Sequence, residues 1–285
     1  MLIGCDRRGF TLVEIMISTA MMLMVSGAIY QTLTVTQRLS RAQVQQVNVQ
    51  SSVRNASLVL LNELRPLGAR VDSTGRQSDL LMISPSAVIY RAERGVGFLC
   101  QFSTATQLRL SRQSFSGHRD PQAGRDSASV FVEGHGQSAA DDGWVPVAIT
   151  SVAGGTCPGA ASPSISLTVA PTPALEGLPP GTPVRLHEVM ELRLYGSEGR
   201  SWLGMRSVSA GETIQPLSGP VHDGDGLRLE YLNATGVPTT TRSEVRSIRL
   251  TLRGESEGIA TFGALEGEHS EEEFTTQVTL RNVLP

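Results

Sequence analysis

Arg7-Arg8-Gly9-Phe10-Thr11-Leu12-Val13-Glu14-Ile15 is the stretch that decides how this chain is read. Two arginines and a glycine stand before a phenylalanine, and an apolar run then begins with one carboxylate, Glu14, close to its start. From Phe10 to Tyr30 the chain has 21 residues, and Glu14 carries the one charge among them. As a helix rising 1.5 Å per residue, that segment would extend about 31 Å, enough to cross the hydrocarbon core of a bilayer. A carboxylate at the centre of such a span costs about 2.5–3.5 kcal/mol, so one that is kept there points to a use. Arg7 and Arg8 precede the span, and the next basic residues are Arg38 and Arg41. By the positive-inside rule this puts the N-terminus in the cytoplasm and the bulk of the chain on the other side.

The register of Arg-Arg-Gly-Phe-Thr-Leu-Val-Glu ahead of a membrane span resembles the class III signal of type IV prepilins and pseudopilins. The resemblance implies cleavage by a prepilin peptidase between Gly9 and Phe10 and N-methylation of Phe10. It also implies that Glu14 meets the N-terminal ammonium of a neighbouring subunit inside the membrane. The physics agrees: either charge alone is costly to bury, whereas a close pair in low dielectric offsets much of that cost. An ordinary secretory signal is cut after its apolar run. Here the implied cut comes before it, so the span stays as an anchor. Residues 1–9 are then a leader, 10–66 a long helix with 10–30 in the membrane, and 67–285 an extracytoplasmic head. Leu2-Ile3-Gly4-Cys5 faintly resembles a lipoprotein cleavage box, but no apolar stretch precedes it, and Cys5 is read as part of the leader.

The net charge of −3 becomes −4 once the leader takes away Asp6, Arg7 and Arg8, so a nucleic-acid-binding surface is not expected. All 24 basic residues are Arg. Loss of the leader also leaves two of the three cysteines, Cys100 and Cys157. Two thiols in an oxidising space suggest a disulfide.

After Tyr30 the pattern turns amphipathic. Leu33, Val35, Leu39, Val44, Val47, Val53, Leu58, Leu61 and Leu64 recur mostly every three or four residues, which predicts one helix from Phe10 to about Arg65. Pro66 and Gly68 supply its stop. From Leu80 onward, short apolar or alternating runs between Gly, Pro, Ser and Asp predict antiparallel strands. They fall at Leu80–Ser84, Ala87–Arg91, Gly97–Ser103, Gln107–Ser111, Ser129–Glu133, Val145–Thr150, Ile165–Val169, Val184–Tyr195, Leu203–Val208, Leu227–Leu232, Val245–Leu252 and Phe274–Arg281. The expected class is α+β, a long N-terminal helix packed on a β-rich, type IV pilin-like head. Ser114–Ser127 and Gly134–Gly143 read as mobile loops.

The helix end Leu60-Leu61-Asn62-Glu63-Leu64-Arg65-Pro66-Leu67-Gly68-Ala69 is similar to the helix-ending pattern of large minor pilins. The order Glu191-Leu192-Arg193-Leu194-Tyr195, Trp202-Leu203-Gly204-Met205-Arg206, Leu229-Glu230-Tyr231, Val245-Arg246-Ser247-Ile248-Arg249-Leu250 and Val278-Thr279-Leu280-Arg281-Asn282 is similar to the C-terminal half of minor pilin W and minor pseudopilin J proteins. The likeness covers residues 7–69 and about 183–282, while 70–182 match nothing beyond being β-rich. It implies a subunit that helps initiate a type IV pilus or type II secretion pseudopilus and sits at or near its tip. Its partners would be other minor pilins or pseudopilins, the major pilin, the prepilin peptidase and the inner membrane. Presence of Glu14 favours a place beneath the subunit that caps the fibre.

No nucleophile motif, Walker loop or His-Glu-x-x-His occurs, and enzyme activity is not expected. No cofactor is expected either. Asp223 and Asp225, in Asp223-Gly224-Asp225-Gly226, are weak calcium candidates, since related pseudopilins can bind calcium; the plainer reading is a turn. Asp141-Asp142-Gly143, near Glu133 and His135, reads the same way. Glu271-Glu272-Glu273 is a solvated run guarding a strand edge. The alternative to an assembly role is a tip adhesin or binding module that recognises a surface, a carbohydrate or DNA.

Overall fold

A computed structural model of the chain describes residues 11–68, 78–134, 142–159, 162–259, 267 and 269–281. Uninterrupted helix-compatible sequence makes one helix, α1 (Leu12–Leu64), 53 residues long and so about 80 Å by its rise. It ends where Pro66 removes a backbone donor: the Arg65 amide still reaches Leu61 O at 3.0 Å, and Leu67 then closes a tighter turn on Leu64 O at 3.2 Å.

Thirteen strands lie among the described residues, and the registered pairings are antiparallel: β1 (Leu80–Ser84), β2 (Ala87–Phe98), β3 (Gln107–Ser111), β4 (Ser116–Gly117), β5 (Asp126–Val132), β6 (Gly143–Thr156), β7 (Pro163–Val169), β8 (Pro183–Ser197), β9 (Arg200–Ser207), β10 (Gln215–Val221), β11 (Leu227–Leu232), β12 (Ser247–Ile259) and β13 (His269–Thr279). The order is β11-β12-β10-β9-β8-β5-β6-β7-β3, with β2 pairing β1, β4 and β8, and β13 pairing β12. A long N-terminal apolar helix with a large antiparallel β head is therefore the architecture, an α+β, pilin-like fold.

The chain divides into two units. One comprises 1–48 and 256–270; the other comprises 49–255 and 271–285. In the first, the described part of α1 lies mostly in the open: Leu12, Met16, Leu23, Met24 and Tyr30 are all exposed. Within the same unit the ends of β12 and β13 are tied by Ser256, whose Oγ donates to Gly258 O at 2.7 Å and accepts from the Ser270 amide at 2.9 Å.

In the second unit the rest of α1 buries Val49, Val53, Ala56, Leu60 and Leu64, spaced by four, three, four and four residues. This is a narrower and differently phased face than the sequence list, in which Leu58 is exposed and Leu61 only half-buried. The helix packs closely on β12 at Gly254, where a Cβ would stand 2.3 Å from Val53 Cγ2, so only glycine fits without displacing the helix. Around this contact gathers a core that includes Val88, Tyr90, Leu192, Leu203, Leu229, Ile248, Leu250 and Val278. A separate core is built from Leu99, Leu108, Leu110, Ala128, Val130, Val147, Ile149, Ile165, Leu167, Val169, Leu175, Val184 and Leu186. It accounts for most of the region that sequence comparison left blank. That stretch, expected to be β-rich, builds this apolar centre together with Val184 and Leu186 of β8.

Three strand readings differ from expectation. Ala87–Arg91 and Gly97–Ser103 are not two strands. β2 runs through to Phe98 and pairs β8 from Ala87↔Arg193 to Phe98↔Pro183, absorbing Glu93–Gly95 as a register shift. β10 was invisible to the pattern because Pro216, Gly219 and Pro220 interrupt it; its ladder to β9 is correspondingly irregular. The expected loop 114–127 contains β4 and is tied down by Phe115, which packs over Gly95 and Gly117. Most of Gly134–Gly143 lies outside the described residues.

Candidate functional site

Gly9 and Phe10 lie outside the described residues, and the structure begins one residue later. There Thr11 and Glu14 form a reciprocal N-terminal cap. Thr11 N and Oγ1 each lie 3.3 Å from Glu14 Oε2, and the Glu14 amide donates to Thr11 Oγ1 at 3.3 Å. This is the Ser/Thr-x-x-Glu arrangement that satisfies two orphan amides of a helix start, and it holds a carboxylate where the helix dipole is positive. Thr11-Leu12-Val13-Glu14 carried that signal in its spacing, though only Glu14 stood out as a charge in a span. Phe10 directly precedes Thr11 in the sequence, so a new amine on Phe10 would lie one residue before this cap and four before Glu14.

The second polar centre lies where α1 ends, and sequence reading did not find it. Glu188 on β8 is buried and meets three arginines: Arg94 Nε at 2.8 Å, Arg125 Nε at 2.6 Å and Arg119 Nη2 at 3.2 Å. Arg94 also reaches Glu63 in the last turn of α1 at 3.1 Å, and Arg119 clamps buried Asp126 at 2.5 and 2.7 Å. Arg125 continues to Glu212 at 2.7 Å. Burial pushes the Tyr90 phenol well above its ordinary value, reinforced by the Glu63 charge, so it stays protonated and donates to Glu63 Oε2 at 3.2 Å. Burial would raise the Glu188 carboxyl, but hydrogen bonds from Ser207 and Arg94 and the charges of Arg94 and Arg125 outweigh it and hold the group below the usual carboxylate range. The network ties the end of the helix to the neighbouring strands β2, β8 and β5.

Cys100 and Cys157 are joined, with sulfurs 2.06 Å apart and Cα atoms 5.7 Å apart. The bridge clips the segment after β2 to the segment after β6, at the margin of the second core. A loop of 57 residues closed this way is worth on the order of 4 kcal/mol in the chain-entropy model. Thiol labelling of denatured, unreduced protein from its own compartment is expected to find neither of these sulfhydryls free; two labelled thiols would refute the bridge in the cell.

The weak calcium candidates are engaged otherwise. Asp223 accepts from Ser201 Oγ at 2.7 Å. Asp225 is bonded by His222 Nδ1 and by Arg253 Nη1 at 2.6 Å, and a guanidinium there opposes a cation. No group of three or more His, Cys, Asp or Glu suited to a metal occurs among the described residues. Asp141 and His135 lie outside those residues. Glu271 pairs with Arg253 at 2.8 Å and Glu273 with the same guanidinium at 3.9 Å, so two residues of the acidic run are not merely solvated.

The family model described as the prokaryotic N-terminal methylation motif matches residues 5–30. No curated protein and no solved structure matches the chain. α1 is long and apolar enough to cross a membrane, and its apolar window is not buried. Together, the motif and this helix support a type IV pilin- or pseudopilin-type protein, addressed to a prepilin peptidase and consistent with anchoring in the inner membrane.

Proposed function

We propose that the chain is a minor pilin or pseudopilin that helps initiate a type IV pilus or type II secretion pseudopilus and sits at or near its tip. It is cut between Gly9 and Phe10 and methylated on Phe10. Glu14 then pairs with the N-terminal ammonium of a neighbouring subunit, the head faces away from the cytoplasm, and the work is assembly rather than catalysis. The observation that carries this reading is the methylation motif leading into a helix whose apolar first half is exposed among the described residues. Apolar surface on that scale needs lipid or other helices to cover it. A minor rather than major subunit is supported by the likeness of residues 183–282 to minor pilin W and minor pseudopilin J proteins, and by a head with two cores.

Extraction from native membranes, followed by identification of co-purifying chains, tests the assembly role. Other short prepilin-type subunits are expected in amounts of the same order as this chain. Recovery of the chain free of any such subunit, under conditions that keep known pilin complexes together, would contradict the role.

A further inference from the structure

A cleft lies on the face of β2, β8, β5 and β6 that points away from the second core. The register places its residues: Glu93 and Ser127 pair with His187, Ser129 with Arg185 and Pro146, and Phe131 with Trp144. Pro66, Leu67 and Asp79 form the opposite wall, with Asp79 held to Gly68 twice: its amide donates to Gly68 O at 2.7 Å, and its Oδ2 accepts from the Gly68 amide at 2.8 Å. The cleft is open to solvent, and only about 60 Å³ of it is deep enough to take water-sized groups, so an occupant would enter it by an edge rather than be enclosed.

Three features describe what would fit. First, His187 is only 8% exposed, lines the cleft and has no hydrogen-bond partner among the described residues. Burial and the charge of Arg91 push its ring down to about 3, so at neutral pH it is uncharged and presents one donor and one acceptor. Its ring nitrogens are not among the sealed, unsatisfied polar atoms of the described residues, and an occupant able both to donate and to accept would pair with them from the cleft. Second, Trp144 is half-buried at the rim. Its indole is held by Arg185, 4.4 Å above the ring, and by the edge of Phe131 at 5.5 Å. An indole braced in this way is rigid, with one face covered by the guanidinium and the remainder half-exposed at the rim beside polar groups. Third, Arg91 and Asp79 stand 3.8 Å apart, near the limit of an ion pair and too far for a short hydrogen bond, and the Ser129 hydroxyl lines the cleft beside them. Donors and acceptors are thus balanced, with no excess of either charge to select an ion.

We propose that this cleft binds a saccharide, with ring hydroxyls meeting His187, Ser129 and the Arg91–Asp79 pair and an apolar edge of the sugar ring against Trp144. Hydroxyls match because each donates and accepts through one oxygen, as an uncharged imidazole does through its two nitrogens. The inference goes beyond the assembly reading and does not rest on it: a head that does not enter a fibre could still bind sugar, and the reverse.

The test uses the full chain in a detergent without a sugar headgroup, probed with oligomers of neutral hexoses, N-acetylhexosamines and uronic acids. The Trp202→Phe background leaves Trp144 as the one indole, since the chain has two tryptophans. Saturable binding of at least one oligomer class is expected, with a change in Trp144 emission. His187→Phe and Trp144→Ala are expected to weaken it about ten-fold, the loss of one good contact. Ser129→Ala, too small a change to threaten folding, is expected to weaken it a few-fold, and it decides the matter should the larger variants unfold. Absence of saturable binding across all three oligomer classes would overturn the proposal. So would binding that Ser129→Ala and the folded members of the other two variants leave unchanged.

Discussion

Glu14→Ala will reach the membrane at wild-type level or above and keep its processing, yet be lost from complexes with other pilin-type subunits. Removing an intramembrane charge eases insertion by up to about 2.5–3.5 kcal/mol, less near a helix end. The peptidase signal centres on Gly9 and is untouched. What disappears is the partner of a neighbour's N-terminal ammonium, and an uncompensated buried charge costs about 3–5 kcal/mol, or about 100-fold or more in association. The Thr11–Glu14 cap adds a second consequence, because alanine also removes a helix cap worth about 0.5–2 kcal/mol. Glu14→Gln separates the two. Glutamine keeps the capping geometry and drops the charge, so it should fail in assembly as alanine does if the charge is what matters. Crosslinking and co-purification, scaled to total membrane level, are the readouts. Wild-type co-assembly of both variants would defeat the role assigned to this carboxylate.

The second large effect belongs to Glu188→Ala. It leaves Arg94, Arg119 and Arg125 facing one another around an empty space, each with one remaining carboxylate. Breaking a buried charge cluster this way costs about 3–5 kcal/mol, a large share of the stability of a typical domain. Arg249→Ala, which breaks only the surface pair with Glu230, should cost about 1 kcal/mol or less. Thermal unfolding of the full chain in detergent compares the two, and equal losses would show that the cluster is not a structural centre. pH acts in the same direction. The folded Glu188 carboxyl lies below its unfolded value, so its contribution is complete above about pH 4.5 and is lost as pH falls through the folded value. Folded His187, at about 3 against an unfolded 6.5, also contributes fully above about pH 6.5 and progressively less as pH falls toward 3. Stability should therefore be level above about pH 7 and decline in two stages below it, with His187→Phe removing the upper stage.

How much of this was legible depended on which physics the sequence writes locally. The membrane helix was readable because 21 residues with one charge have few other fates, and its end because proline lacks a donor. The strands were readable wherever apolar residues alternate, and lost where Pro216 and Pro220 or the Glu93–Gly95 shift break the alternation. The helix face was misplaced because Leu33 to Val47 continue the apolar pattern, yet among the described residues they are exposed and join neither core. The charge cluster left a sign that went unread: Glu188 stands in phase with Leu186 and Met190, Arg94 with Tyr90 and Ala92, and Asp126 with Ala128 and Val130. Charges in the buried phase of three separate strands can be tolerated only if those strands bring them together. Which strands do so is set by the order β2-β8-β5, joining residues nearly a hundred positions apart, and no local pattern encodes that.

The central claim is that this chain is processed at the front of its apolar helix and keeps the helix as its assembly element. Intact-mass analysis of the protein extracted from membranes that contain a prepilin peptidase tests it most directly. The expected species begins at Phe10, carries one added methyl group and lacks residues 1–9. A mature chain beginning after Tyr30, or one that retains Gly9 with an unmodified leader in the presence of active peptidase, would contradict it.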